Sequence, residues 1–192
     1  MAVQQKSAAF FQRIHSSLTP SKVYHYLTMI KIVSGDITEF EGDALVNAAN
    51  SALAPGGGVC GAIYEAAGFE ELLEACVKVR PCPTGDARIT PGFNLHTKYI
   101  IHAVGPNYYL EHEPEAKLRE VYRSIIRVAR ENGINTIAVP SISTGIYGYP
   151  VQEAAPIALH ELSKAPDLDI TVYCFGFDVR EAYDEAMETI RG

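Results

Sequence analysis

The chain has 192 residues with 16 Lys+Arg, 23 Asp+Glu, 47% hydrophobic residues and a formal net charge of −7. That length buries a full core, and 11 Tyr with 7 Phe argue against a disordered chain. No apolar run reaches the roughly 18–20 residues of a membrane span, four cysteines without a Cys-x-x-Cys pair make neither a disulfide scaffold nor a structural zinc site, and the acidic balance opposes binding to duplex phosphates.

Charge is uneven along the chain. Residues 1–35 carry Lys6, Arg13, Lys22 and Lys31 and no acid. Phe10, Phe11, Ile14 and Leu18 recur there at roughly helical spacing. Residues 1–28 thus read as a basic N-terminal extension, a short helix or a frayed segment, with the flavour of a transit peptide as the alternative. Residues 29–192 read as one domain. The cysteine usage points to a reducing compartment, the cytoplasm, and the acid-free start leaves the mitochondrion as the other option.

From Met29 onward the pattern alternates. Predicted strands are Met29–Val33, Ala44–Asn47, Ala87–Thr90, Tyr99–Val104, Thr136–Ser141 and Ile170–Phe175. Several are continuously apolar, as in a sheet covered on both faces. Val59, Ala62, Ile63, Ala66 and Ala67 form a helical stripe that Gly68 caps. Leu118, Val121, Tyr122, Ile125, Val128 and Ala129 form a second, closed by Asn132-Gly133. Pro150 enters the first turn of a third helix bearing Val151, Ala154, Ala155, Ala158, Leu159 and Leu162. Asp178 and Glu181 predict a capping box for a last helix with Val179, Ala182, Tyr183, Ala186, Met187 and Ile190 inward. Strands separated by helices make an α/β layered domain whose ligands gather at the carboxyl ends of the strands.

Two loops carry the chemical signal. The first runs from Asn47 and Asn50 through Gly56-Gly57-Gly58-Val59-Cys60-Gly61, between a strand and a helix. The second is Ser141-Ile142-Ser143-Thr144-Gly145-Ile146-Tyr147-Gly148-Tyr149-Pro150, in the same context. Glycine admits close backbone approach, and a helix N-terminus offers unpaired N–H donors and a partial positive charge. Neither loop contains Lys or Arg, so backbone N–H groups alone must clamp an anion such as a diphosphate. Gly56-x-Gly58-x-x-Gly61 fits the dinucleotide fingerprint literally, but the loop is too long for the tight turn and no acidic strand end follows at the usual distance. No P-loop is present.

Together these segments resemble the macrodomain, the ADP-ribose-binding family, and most of all its MacroD-type branch. The stretches are Val33-Ser-Gly-Asp36-Ile37-Thr38, Val46-Asn47-Ala-Ala-Asn50-Ser51, Gly56 to Gly68, Thr84-Gly85-Asp86-Ala87, Tyr99 to Pro106 and Ile142 to Pro150. The resemblance implies a three-layer α/β/α fold with a mixed, mostly parallel sheet. It implies that Asp36 accepts from the adenine amino group, that the Ile37 N–H meets the adenine ring, and that Phe175, with Phe177 as its rival, packs on adenine. It places Asn50 on the distal ribose, Gly57, Gly58 and Val59 near the distal ribose and diphosphate, and Ser143, Thr144, Gly145, Ile146 and Tyr147 along the phosphates, Tyr147 covering the distal ribose. Asn47 is expected to tie loop backbone. From the residues alone, the alternatives are that Asp36 merely stabilises its own Gly35-Asp36 turn and that Phe175 is a core aromatic.

One departure matters. MacroD-type hydrolases usually carry Asp where this chain has Cys60, while related viral macrodomains lack it and can remain hydrolases. A neutral thiol cannot replace a carboxylate, so catalysis would rest on a water oriented by the substrate's own phosphate, with Asn50 and the loops as the protein's contribution. Cys60 itself is the other candidate, as a nucleophile at a helix N-terminus, although no base partner is evident and small-residue packing suits it. His102 lies inside an apolar strand, and the remaining histidines lack metal-ligand spacing. The resemblance therefore implies an enzyme that removes mono-ADP-ribose from acidic side chains of proteins, and deacetylates O-acetyl-ADP-ribose, without cofactor or metal. A non-catalytic reader of ADP-ribose is the alternative. Expected partners are ADP-ribose and mono-ADP-ribosylated proteins, not membranes or nucleic acids, and a monomer is expected.

Overall fold

A computed structural model of the protein describes residues 30–191; the basic extension and the start of the first predicted strand at Met29 lie outside them. Six strands form one sheet: β1 (Lys31–Ser34), β2 (Gly42–Ala48), β3 (Ala87–Pro91), β4 (Thr97–Ala103), β5 (Thr136–Pro140) and β6 (Asp169–Cys174). Their spatial order is β1-β6-β5-β2-β4-β3. Every pairing is parallel except β3 with β4. Five strands therefore end on one edge, and the mixed, mostly parallel sheet follows the sequence reading.

Helices cover both faces. On one lie α1 (Val59–Ala67) and α2 (Phe69–Val79), burying Ile63, Tyr64, Leu72 and Cys76 against Leu45 and Ile100. On the other lie α3 (Pro114–Glu131), α4 (Val151–Leu162) and α5 (Phe177–Arg191). Their stripes, including Val121, Tyr122, Ala158 and Tyr183, close on Val46, Val139 and Val172. Alternate residues of β2 thus serve opposite cores, as a pleated strand between two layers requires.

Three expectations need correction. Helix α2 is absent from the sequence reading, because Gly68 there marks a stop. In the structure Gly68 has φ +103 and serves as the C-cap of α1 and the N-cap of α2 at once. The capping box at Asp178 does not form, since Gly176 turns the chain at φ +95 and α5 begins at Phe177, with Asp178 already in its first turn. Pro150 precedes α4 as its N-cap instead of entering its first turn.

Within the three-helix layer, α3 and α4 are pinned together by one buried carboxylate. Glu161 of α4 is fully buried and accepts from Arg119 at 3.0 Å, Arg123 at 2.9 Å and Lys164 at 2.8 Å. These cations overcome the desolvation that would raise its pKa and hold it at about 2. A carboxyl depressed in the folded state contributes stability in full above its unfolded value and loses it as pH falls toward the folded value. Glu161→Gln is expected to destabilise the protein by about 3 kcal/mol near neutrality. In urea titrations that gap should persist down to pH 4.5 and shrink between 4.5 and about 2.

Candidate functional site

The parallel strands order the site along one edge. Asp36 and Ile37 follow β1, Phe175 follows β6, the second glycine loop follows β5, and the first follows β2. The Gly35 N–H donates to the Cys174 carbonyl at 3.4 Å, so the turn bearing Asp36 lies beside Phe175. Phe175 is 89% exposed, which sets aside the core-aromatic alternative. Phe177, its rival, is exposed as well, at the start of α5.

Asp36 has a local duty. Its Oδ1 accepts from the Thr38 N–H at 2.9 Å and from the Thr38 hydroxyl at 2.8 Å, capping the short 3-10 helix Ile37–Glu39. Both bonds fall on Oδ1, which leaves Oδ2 for a donor in the cleft. Ile37 is buried and opens the 3-10 helix, so its N–H lies outside that helix's own bonding.

The first loop ends at Gly58, whose φ of +59 directs the chain into α1 without a side-chain cap. Ala62 is the first residue to donate within the helix, to the Gly58 carbonyl at 3.2 Å. The N–H groups of Val59, Cys60 and Gly61 thus form the anion-receptive end of the helix. In the second loop Gly148 donates to the Gly145 carbonyl at 2.9 Å and Tyr149 to that of Ser143 at 3.0 Å. Among the described residues the N–H groups of Thr144, Gly145, Ile146 and Tyr147 take no part in such bonds. The loops meet: a Cβ on Gly57 would sit 3.2 Å from Ile146 Cδ1. Tyr147 is partly buried, and that burial, with Cys60 as the second cause, pushes its phenol above the usual range.

Two features of the second loop escaped the sequence reading. Ser143 holds φ +67, uncommon for a residue with a side chain, and its buried hydroxyl has no partner among the described residues. Gly105, just beyond β4, abuts it; a Cβ there would collide with Ser143 Oγ and Ile142 Cγ2. Nothing in periodicity marks Gly105, because its requirement arises between elements far apart in the chain.

Asn50 braces its own loop. Its Nδ2 donates to the Ala54 carbonyl at 2.8 Å and its Oδ1 accepts from the Ala54 N–H at 3.1 Å. One Nδ2 hydrogen remains for a ligand, and the brace fixes its direction. Asn47 ties no loop backbone: it is buried on the α1–α2 face, with Nδ2 3.1 Å from His102 Nδ1 and 3.7 Å from Cys60 Sγ. His102 Nε2 lies 2.9 Å from Thr90 Oγ1, which lies 3.2 Å from the Pro91 carbonyl. The assignment that satisfies this row has Asn47 donating to Nδ1, Nε2–H donating to Thr90 and the Thr90 hydroxyl donating to Pro91. His102 is a neutral, enclosed ring, pushed down to about 4 by burial. It belongs to the core behind the first loop, not to the cleft.

Cys60 occupies the first turn of α1, buried, with Sγ 3.9 Å from the Ala54 carbonyl. Burial pushes its thiol up, more than Asn47 and the Gly56 backbone lower it. The helix end therefore does not make it a thiolate, and no basic side chain contacts it. All four cysteines are free and buried. Among the described residues no cluster of three or more His, Cys, Asp or Glu could hold a metal.

The chain has extensive relatives. A family model described as the Macro domain matches residues 46–158. A protein of Fusobacterium nucleatum is 54% identical over 144 residues, covering 74% of this chain and 82% of its own. An O-acetyl-ADP-ribose deacetylase of Enterobacter cloacae is 44% identical over 173 residues, covering 85% and 95%. Among solved structures, an Oceanobacillus iheyensis macrodomain with ADP superposes with a TM-score of 0.80 at 38% identity, covering 84% of this chain and 91% of that one. A Trypanosoma brucei macrodomain in complex with ADP-ribose gives 0.77 at 39%, covering 87% and 72%.

Two measurements check this geometry. Gly105→Ala should cost roughly 1–3 kcal/mol of unfolding free energy, because the clash is with the side chains of Ser143 and Ile142, which are buried and cannot swing clear. Iodoacetamide at pH 8 should leave all four cysteines of the native protein unmodified on the timescale that labels the unfolded chain completely; rapid native labelling at Cys60 would contradict the neutral thiol.

Proposed function

Because the chain belongs to the macrodomain family, we propose that it binds ADP-ribose along this edge and hydrolyses the ester joining the distal ribose to an acidic side chain of a protein. The same ester chemistry extends to O-acetyl-ADP-ribose, in keeping with the name of the Enterobacter relative. The observation that carries the reading is the meeting of two uncharged glycine loops at Gly57 and Ile146, with unspent N–H groups on both. Each N–H bond to a phosphate contributes about 1.5–3 kcal/mol, so several hold a diphosphate without a cation.

In this reading Asp36 Oδ2 and the Ile37 N–H receive adenine, with Phe175 as its apolar cover. The first turn of α1 and residues Ser143 to Tyr147 receive the diphosphate, and Tyr147 closes over the distal ribose. Asn50 gives its remaining N–H to a ribose hydroxyl, and the Ala54 brace holds it there at no cost on binding. Cys60 supplies no base. The attacking water is oriented by the substrate's own phosphate, and the loop N–H groups stabilise the charge that develops. The ester C–O bond breaks as water adds, releasing ADP-ribose and the free carboxylate.

The enclosed neutral thiol supports a second reading, a module that binds ADP-ribose without turnover. A time course of ADP-ribose release from a Glu/Asp-mono-ADP-ribosylated protein separates the two. The parent should release ADP-ribose, and Asn50→Ala should slow that by roughly 100-fold, about 2.7 kcal/mol of barrier. No release by a parent that still binds ADP-ribose leaves the reader. Cys60→Asp, with Asn47 Nδ2 already directed at position 60, should then confer hydrolysis.

A further inference from the structure

Beside the second loop runs a segment that none of these roles uses. Tyr109 is 80% exposed and Leu110 83%, and Ile146, in the second loop one residue before the Tyr147 that bonds this segment, is 81% exposed. The exposure is held by bonding. Tyr108 donates its N–H to the Tyr147 carbonyl at 2.9 Å, Leu110 and Glu111 donate theirs to the Asn107 carbonyl at 3.3 and 2.9 Å, and Tyr109 donates to Asn107 Oδ1 at 3.2 Å. Tyr108 stacks edge-on with Tyr149 at 4.8 Å, and the Tyr109 ring lies over Gly148. A fixed apolar rim therefore continues the cleft outward.

Its charge is one-sided. From Gly105 to Ala116 stand Glu111, Glu113 and Glu115, with no Lys or Arg. Glu115 is matched by Arg119 at 3.0 Å, and Lys117 is committed to Glu120 at 2.7 Å. Glu111 and Glu113 have no ion pair among the described residues. Lys117 lies near enough to interact with both, but Glu153 adds a further carboxylate beside Tyr108 at 3.3 Å and both glycine loops are uncharged, so the balance at this rim is acidic. Such a rim repels the diphosphate of free ADP-ribose, and a cationic bearer offsets the repulsion.

We propose that Tyr109–Glu113, with Ile146, is the docking surface for the polypeptide that bears the ADP-ribose, and that it favours an apolar residue and Lys or Arg beside the modified side chain. The inference rests on the cleft reading above. The apolar pair supplies contact area, while Glu111 and Glu113 steer and select.

The test uses peptides carrying ADP-ribose through a stable, non-hydrolysable linkage, with Leu and Lys or with Leu and Glu flanking the modified position. Free ADP-ribose serves as the control. At low salt the parent should bind the Lys-flanked peptide about tenfold more tightly than the Glu-flanked one. Glu111→Gln/Glu113→Gln should erase that preference, and so should 0.5 M NaCl. Leu110→Ser should weaken both peptides about fivefold and leave free ADP-ribose unchanged. Equal affinity of the parent for the two peptides, or a preference that survives the double Gln variant, overturns the proposal. Concentration-dependent dimerisation abolished by Leu110→Ser would give the surface to a second copy instead, and also overturns it. Failure of free ADP-ribose itself to bind would instead fault the cleft reading.

Discussion

The absence of Lys and Arg from both glycine loops is the constraint that organises this molecule. A guanidinium on a flexible stem tolerates an ångström of misplacement, because it can reach. A backbone N–H cannot reach, so an anion site built from N–H groups works only if the loops themselves are held where they are needed. The parallel sheet does the coarse placement by ending β2 and β5 side by side. Fine placement falls to contacts that admit little substitution: Gly105 beneath Ser143 and the Asn50 brace on Ala54. The positive φ of Ser143 is local strain that the surrounding packing sustains.

The buried polar groups follow the same logic. The row from Asn47 through His102 to Thr90 lies directly behind Cys60 and the first turn of α1. An apolar filler there would pack the core equally well, but it would not fix the direction in which that turn faces the cleft. On the opposite face, Glu161 and its three cations lock α3 to α4, and α4 begins where the second loop ends. The polar row thus backs the first loop, while the Glu161 cluster fixes the far end of the helix that follows the second. A buried pair is weak as a source of net stability, yet strong as a specifier of one arrangement, since breaking it leaves an uncompensated group.

What the sequence makes legible is what depends on short range. Helix α1 from Val59 to Ala67 with Gly68 after it, the apolar strands and both strand–loop–helix passages all appear in the structure, because periodicity and glycine placement are local. The buried face of α1, however, is Cys60, Ile63, Tyr64 and Ala67, and the predicted Ala62 and Ala66 are exposed. Helix α2 is hidden by Gly68, one residue read as a stop that in fact joins two helices. Asp178 fails as a cap because Gly176 has already turned the chain. Asn47 is visible as a structural residue but not with its true partner, since His102 lies on a neighbouring strand and meets it only through the β2–β4 register. Gly105 is illegible for the same reason. Long-range complementarity leaves no periodic trace.

The thiol at position 60 bears on how binding energy is used in the proposed function. A carboxylate in the first turn of α1 would compete with a diphosphate for the same helix end, and would repel it. A neutral, enclosed thiol removes that repulsion and leaves the whole partial charge of the helix end to the ligand. The gain falls on ground state and transition state alike, which tightens binding without lowering the barrier between them. Rate enhancement must then come from groups that act differently on the two states: the orientation of water by the substrate's phosphate, the braced Asn50, and loop N–H groups aimed at developing charge. The acidic rim at Glu111 and Glu113 acts in the opposite sense, taxing the free ligand and sparing one delivered on a cationic polypeptide. A site that gains general affinity through position 60 and sheds part of it at its outer edge discriminates by what the ADP-ribose is attached to, whether or not it then cuts the bond.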